Sequence, residues 1–399
     1  MWRSSLNYGS PAPRPHPTRS PATIRSSSSE EPLPIIPYGT RYVLPPEWEW
    51  REHLKHQIQN TLSQWGYAAV QTPALELFDP LHPQSDLAFH LTDRDGTLLS
   101  LRSEYTAPVS RMLRSNLLGH NYPLRISYAG NVWLRGLESE LGRLREFTQV
   151  GAELVGASSA HFDAELLELA RDALGAVGVR FRLEIADRSF LAALLAPSGL
   201  DGAALEHLSD IIERKATPEL REALKKYGVG QNLRADLLEL PDLYGGMDTL
   251  ERARKVARTP EARETLDRLE QTVRLTGRDD FLFDLGMARR ISYYTGFTFR
   301  AYTPDFGQPL LGGGRYDAGI PGAGFAIGLE RVMSALGAPP TLPNVQVLAL
   351  DFDSARVARG QGYRTELVHD LHLGQAKVQA LARGLKFVAH GGLLEELNS

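Results

Sequence analysis

Apolar residues at Trp50, Leu54, Ile58, Leu62 and Trp65 recur every three to four positions and are followed by Gly66, a pattern that predicts a helix ending at the glycine. Residues 67–73 read as a short strand closed by Pro73, residues 97–101 alternate as a second strand, and 106–117 reads as a helix. Two longer strand-like runs, 124–134 and 146–155, are separated by a charged loop at 136–145, which predicts a hairpin with a long tip. An amphipathic helix is expected over 162–177, before Gly178. From about 197 to 277 the pattern is helical only: Leu205, Leu208, Ile211 and Ile212 form one stripe, and Thr259-Pro260 opens another helix. Strand character resumes over 281–302, and the glycines at 312–314 and 319–324 lead into a helix starting near Gly328. A helical block therefore interrupts an α+β domain whose sheet resumes after it, as an insertion would. Residues 345–399 read as a small βαβαβ tail, thin for an independent domain.

The expected organisation is an N-terminal extension over 1–34, a main domain over 35–337 with its insertion at about 197–277, and the tail at 345–399. The extension holds four arginines among Ser and Pro with no acid before Glu30, the composition of an organelle transit peptide. Its prolines oppose the amphipathic helix of such peptides, so it reads as a disordered extension or an over-long start.

Composition narrows the chemistry. With 44 Lys and Arg against 48 Asp and Glu, the net charge of −4 gives no global positive field to attract nucleic acid. The absence of cysteine excludes disulfides, thiolate metal sites and a cysteine nucleophile. No apolar run reaches the ~20 residues that span a bilayer, so a cytoplasmic chain with no membrane partner is expected. His53/His56 and His369/His372 are three apart, but no third metal ligand is evident.

Four clusters carry candidate chemistry. In Arg102-Ser103-Glu104-Tyr105-Thr106, a carboxylate and a hydroxyl two apart at a strand end can point the same way and bind an ammonium group. Taken singly, such a glutamate is more often a solvated surface acid. In the second cluster, Arg145, Phe147, Gln149 and Gly151 share one strand face that Glu153 can also join. Polar groups on that face need partners, which a polar ligand or partial solvation supplies. The third, Arg289-Arg290-Ile291-Ser292-Tyr293-Tyr294, places paired arginines before an aromatic hairpin; they suit a carboxylate or phosphate, or simply an exposed edge. In the fourth, a glycine-flanked strand at 324–328 enters a helix whose first turn holds Glu330 and Arg331.

In this order, and with this insertion, residues 35–337 resemble the class II histidyl-tRNA synthetases. Thr72-Pro73 with Glu76, the segment from Arg135 to Glu153, and Gly328-Leu329-Glu330-Arg331 match the three class II motifs. Tyr293-Tyr294 and Gly313-Gly314-Arg315-Tyr316-Asp317 match segments particular to the histidine branch. The resemblance implies an antiparallel sheet of six or seven strands flanked by helices, and a dimer formed through the first motif. It implies that Glu104, Thr106 and Gln149 hold a histidine ammonium, and that Glu153 and Tyr294, with Tyr293 beside it, meet the imidazole. Arg135, Arg143, Arg289 and Arg331 match arginines that handle phosphates, adenine or the amino acid carboxylate.

The departures from the synthetase pattern shape the expected function. An acid expected two positions after Arg135 is Leu137, and the loop that follows, Glu138-Ser139-Glu140-Leu141, is acidic where synthetases are basic and polar. Negative charge there weakens the binding of ATP phosphates. Arg290 stands where synthetases carry a glycine, and the tail matches only the first half of an anticodon-binding domain, a truncated sheet with an edge to cover. Histidine contacts are kept while ATP and tRNA features are eroded. That combination resembles the regulatory-subunit branch of the family, whose members join a short-form ATP phosphoribosyltransferase catalytic subunit and pass histidine feedback to histidine biosynthesis. The resemblance implies a hetero-oligomer with histidine as effector, no cofactor, no tRNA partner and no catalysis of its own. An active histidyl-tRNA synthetase, and a stand-alone histidine sensor, are the competing readings.

Overall fold

The computed structural model describes residues 36–397 apart from 83, 117–121, 136–143, 157, 288–293, 305 and 340–344. The expected N-terminal extension thus lies outside the described residues. Helix α1 (Glu47–Gln64) buries Leu54, Ile58 and Leu62 along one stripe, each contributing about 1.5–3 kcal/mol of burial. Gly66, at φ +82°, turns the chain out of it. Short strands β1 (Ala68–Ala69), β2 (Leu75–Leu77), β3 (His90–Thr92) and β4 (Leu98–Leu101) lead to helix α2 (Thr106–Asn116). The long strands β5 (Leu124–Trp133) and β6 (Glu146–Val155) follow, then α3 (Ala160–Ala176), β7 (Arg182–Asp187) and α4 (Arg188–Leu195). The helical block consists of α5 (Gly202–Glu213), α6 (Thr217–Lys226), α7 (Gln231–Leu238), the two-residue strand β8 (Tyr244–Gly245), α8 (Asp248–Val256) and α9 (Pro260–Thr276). The chain returns to the sheet through β9 (Leu282–Asp284), β10 (Tyr294–Thr303), β11 (Phe306–Asp317) and β12 (Pro321–Gly328), then enters α10 (Leu329–Leu336). The tail is β13 (Val347–Ala349), α11 (Phe352–Gly360), β14 (Thr365–Leu367), α12 (Leu373–Ala382), β15 (Phe387–His390) and β16 (Leu393–Glu396).

The main sheet has nine strands in the order β1-β5-β6-β12-β11-β10-β7-β9-β8. Its six central strands, β5 to β7 in that order, are antiparallel, as expected for this fold. The complete sheet is mixed, because β1 adds parallel to β5 and β9 adds parallel to β7. β1, at one edge, and β9, between β7 and the edge strand β8, are two and three residues long, too short to show alternation. Since β7 and β9 flank the helical block and pair with each other, the sheet closes behind the insertion.

One face of the main sheet is apolar. Val150, Ala152, Leu154, Phe325 and Ile327 pack there with Leu166, Leu169 and Leu174 of α3 and with the α1 stripe. Asp163 of α3 is buried and meets two arginines, with Arg315 Nε at 2.8 Å and Arg268 Nη2 at 3.0 Å. Burial pushes the Asp163 carboxyl up, opposed by both guanidiniums. This cluster joins α3, α9 and β11.

In the tail, β13 pairs parallel with β14 and β15, and β16 folds back on β15. Leu348 and Val388 pack under Ala376 and Ala380 of α12, whereas Val347, Ala349 and Ala389 pack under Ala355 and Ala358 of α11. The small sheet is thus covered on both faces.

Candidate functional site

The second face of the main sheet is built differently. On β6, Gln149, Gly151 and Glu153 point to that face, opposite Gly328, Ala326 and Gly324 of β12. Those in turn lie beside Gly312 and Gly314 of β11. Five small residues on two adjacent strands leave a trough, and the larger polar side chains of β6 border it. The closeness is tight enough to exclude a Cβ at some positions. A methyl group at Gly324 would fall 2.0 Å from Glu153 Oε2 and 2.4 Å from the Ala152 carbonyl oxygen. At Gly314 it would fall 2.8 Å from Tyr294.

The resulting cavity has a volume of ≈ 200 Å³, a size that suits a small molecule. Glu104, Thr106, Gln149, Glu153, Tyr294 and Arg331 all line it. Arg135 is exposed and is not part of its wall. Its backbone N–H donates to the Leu87 carbonyl at 2.6 Å. Arg143, Arg289 and Tyr293 lie outside the described residues, as do Leu137, Arg290 and the acidic loop from Glu138 to Leu141.

Glu104 sits just ahead of α2, where its carboxylate accepts from the Ala107 N–H at 2.8 Å and from the Thr106 N–H. A carboxylate at this place answers the open donors of the helix start. The Thr106 hydroxyl donates to Glu153 Oε1 at 2.9 Å. Arg102, in the same sequence cluster, is buried and turned away from the trough. Its guanidinium donates to the carbonyls of Thr72 and Asn131 at 2.8 and 2.7 Å, and lies 4.1 Å from the centre of the Tyr105 ring. Arg102 therefore locks the Thr72-Pro73 segment to the sheet. Glu330 does similar work at the other end, accepting from the Thr148 N–H at 2.8 Å and tying α10 to β6.

Glu153 is 1% exposed. Burial pushes its carboxyl from the ordinary value of 4.5 up to about 8; the Tyr316 and Thr106 hydroxyls oppose that shift and Glu104 adds to it. Tyr316 is fully enclosed, and burial beside Glu153 holds its phenol well above its ordinary range. The Tyr316 hydroxyl stands close enough to influence the carboxyl without completing a hydrogen bond to Oε2. Among the described residues, buried Gln84 Oε1, Gln149 Oε1, Glu153 Oε2 and the Tyr316 hydroxyl have no hydrogen-bond partner. All four residues line the trough. Buried polar groups left unpaired are costly, so this wall suits a polar ligand able to pair with them. Gln84 and Tyr316 were not among the sequence candidates, although Tyr316 stood in a quoted motif.

Among the described residues, no three His, Asp or Glu side chains gather as metal ligands would. No helix there is long and apolar enough to cross a membrane.

The family model described as histidyl-tRNA synthetase matches residues 39–332, so fold, trough and sequence together define a chain of the class II histidyl-tRNA synthetase type. An ATP phosphoribosyltransferase regulatory subunit of Deinococcus radiodurans is 44% identical over 367 residues, covering 91% of this chain and 90% of the relative. The regulatory subunit of Thermus thermophilus is 46% identical over 361 residues, covering 90% and 98%. Within that type, the chain belongs to the family of ATP phosphoribosyltransferase regulatory subunits. A crystal structure from Bacillus halodurans, described as an ATP phosphoribosyltransferase regulatory subunit/histidyl-tRNA synthetase, superposes with a TM-score of 0.78 at 27% identity, covering 89% of this chain and 97% of that one. The histidyl-tRNA synthetase of Nostoc shares the fold, with a TM-score of 0.73 at 21% identity over 88% of this chain and 90% of that one.

Proposed function

We propose that this chain is the histidine-binding regulatory subunit of ATP phosphoribosyltransferase, that it acts on a short catalytic subunit, and that it carries no catalysis of its own. The observation that supports histidine as ligand is the set of unpaired buried acceptors on Gln149 and Glu153, next to the Glu104 carboxylate. Histidine supplies an ammonium for Glu104, Thr106 and Gln149, and an imidazole for Glu153 and Tyr294. A neutral imidazole has one donor and one acceptor, which a carboxylate and a phenol can both meet. Leucine or phenylalanine would leave these groups unpaired, which gives selectivity. Arg331, and outside the described residues Arg143 and Arg289, are the groups suited to the ligand carboxylate.

Regulation follows from differential affinity. If histidine binds one state of the complex more tightly, it shifts the catalytic partner toward that state, typically with about 1–3 kcal/mol of coupling. The chain is read as cytoplasmic and self-associating through β2 and β4, without a tRNA partner.

The direct test mixes the purified chain with a short catalytic subunit and follows phosphoribosyl transfer with and without histidine. Activation by the chain and a histidine-dependent change in rate are expected. A rate indifferent to both would end the regulatory reading. Histidine-dependent ATP–pyrophosphate exchange by the chain alone would instead mark a working synthetase.

A further inference from the structure

A second cavity of ≈ 330 Å³ abuts the trough. Glu104, Thr106 and Tyr316 line both spaces and form the partition between them. The segment between β2 and β3 crosses this boundary: His82 lines the second cavity and Gln84 lines the trough.

The hydrogen bonds of this segment fix its chemistry. The Gln84 N–H donates to His82 Nδ1 at 3.1 Å. A ring nitrogen that accepts carries no proton, so in the neutral ring the hydrogen is on Nε2. His82 Nε2 is 3.1 Å from Glu104 Oε1 and donates to it. Glu104 is therefore held from two directions, by the first N–H groups of α2 and by His82. A carboxylate offers about four acceptor positions, so three are taken and one is left. Beside it, the buried Gln84 Oε1 has no hydrogen-bond partner among the described residues. An ammonium group has three N–H donors and no acceptor, enough for the open Glu104 position and the amide oxygens of Gln149 and Gln84 in the same wall, with the Thr106 hydroxyl, which donates to Glu153, beside them.

We propose that Gln84 is a ligand-binding residue that accepts a hydrogen bond from the amino acid's ammonium at Oε1, and that His82 is the residue that positions Glu104 beside it. The proposal rests on the histidine-binding reading and extends it to a segment outside the sheet. Gln84 recognises one end of the ligand only. Its removal therefore acts on ligands that carry the ammonium and spares those that lack it.

The test is calorimetric titration of the full chain with L-histidine and with 3-(imidazol-4-yl)propanoate, which keeps the ring and carboxylate but has no amino group. Gln84→Leu is expected to weaken L-histidine by about tenfold, the scale of one hydrogen bond to a charged group, and to change the propanoate less than twofold. Gln84→Glu keeps an acceptor there and is expected to hold histidine at least as well as Gln. For His82→Ala, a loss confined to L-histidine is expected. In the unsubstituted chain, the 15N spectrum of the His82 ring is expected to show a protonated Nε2 and a bare Nδ1. Equal losses for both ligands, an unchanged Gln84→Leu, or parallel losses in Gln84→Leu and Gln84→Glu would overturn the proposal. If Glu153→Gln loses histidine while Gln84→Leu does not, the histidine reading stands and this inference alone fails. Absence of histidine binding by the unsubstituted chain defeats both.

Discussion

At Glu153, a carboxyl almost out of contact with solvent holds its proton up to about pH 8 in the empty protein. An acid whose folded value is raised binds more protons folded than unfolded, between its ordinary value and the raised one. The stability of the empty protein is therefore expected to fall, relative to Glu153→Gln, as pH rises from about 5 to about 8. The difference should reach a few kcal/mol, on the order set by the shift. Thermal melts of the two proteins across that window check it; parallel curves would contradict it. If histidine pairs with the ionised form of this group as proposed, binding near pH 7 is expected to release up to one proton, visible as buffer-dependent heat in calorimetry. The same Glu153→Gln change should cost roughly 10- to 100-fold in histidine affinity. Gln149 and Glu153 were readable from the polar strand face, and Glu104, Thr106, Tyr294 and Arg331 from the family resemblance; the six come together in one wall. Arg135 stays outside because its backbone follows the chain toward Leu87. Gln84 gave no signal, since it lies in a segment with no period and its partners are distant in sequence.

Among the elements, glycine both makes the trough and hides it from sequence inspection. A strand is recognised by side chains that alternate, and Gly312, Gly313 and Gly314 have none, so β11 was not foreseen although it lies at the centre of the sheet. The strands β2 and β3 escaped for a different reason, being three residues each with exposed positions. The hairpin that adds β16 did have a cue: Gly391 and Gly392, at φ +56° and +77°, form the two-residue turn favoured between antiparallel strands. The trough glycines are open to a paired test. Gly324→Ala puts a methyl against a backbone oxygen, which cannot easily give, so a loss of about 1–3 kcal/mol in stability and of histidine binding is expected. Gly175→Ala, in α3 with nothing within 4 Å, should stabilise by about 0.5–1 kcal/mol. Denaturant midpoints of both variants measure the contrast, and similar midpoints would argue against a close-packed trough.

For the molecule as a whole, the helical block and the tail were legible because their periods change abruptly in the sequence, and strand character was legible over 67–73 and 281–302, whereas the parallel pairing of β1 and β9 that makes the sheet mixed was not. The association surface is the next question. Leu75, Leu77 and Leu98, at 50%, 73% and 43% exposure, stand on the small sheet formed by β2, β4 and β3. By the register, Leu75 and Leu77 share a face with Leu91 and Leu99 while Leu98 points to the other side, and the exposed apolar face that carries Leu75 and Leu77 favours a partner. A dimer is expected in sedimentation, and Leu77→Glu should shift it toward monomer with the melting temperature little changed. A dimer unaffected by that substitution would place the interface elsewhere.

The trough floor belongs to strands that are hydrogen-bonded on both sides, β6 between β5 and β12, and β11 between β12 and β10. Such a floor has no hinge. Among the described residues, the wall outside regular structure consists of Gln84, Leu134 and the lead into α2. If the proposed amino acid binds in the trough, its release is expected to pass that side. On the histidine-binding reading, substitutions around Gln84 are then expected to alter both the affinity for the amino acid and how long it stays bound.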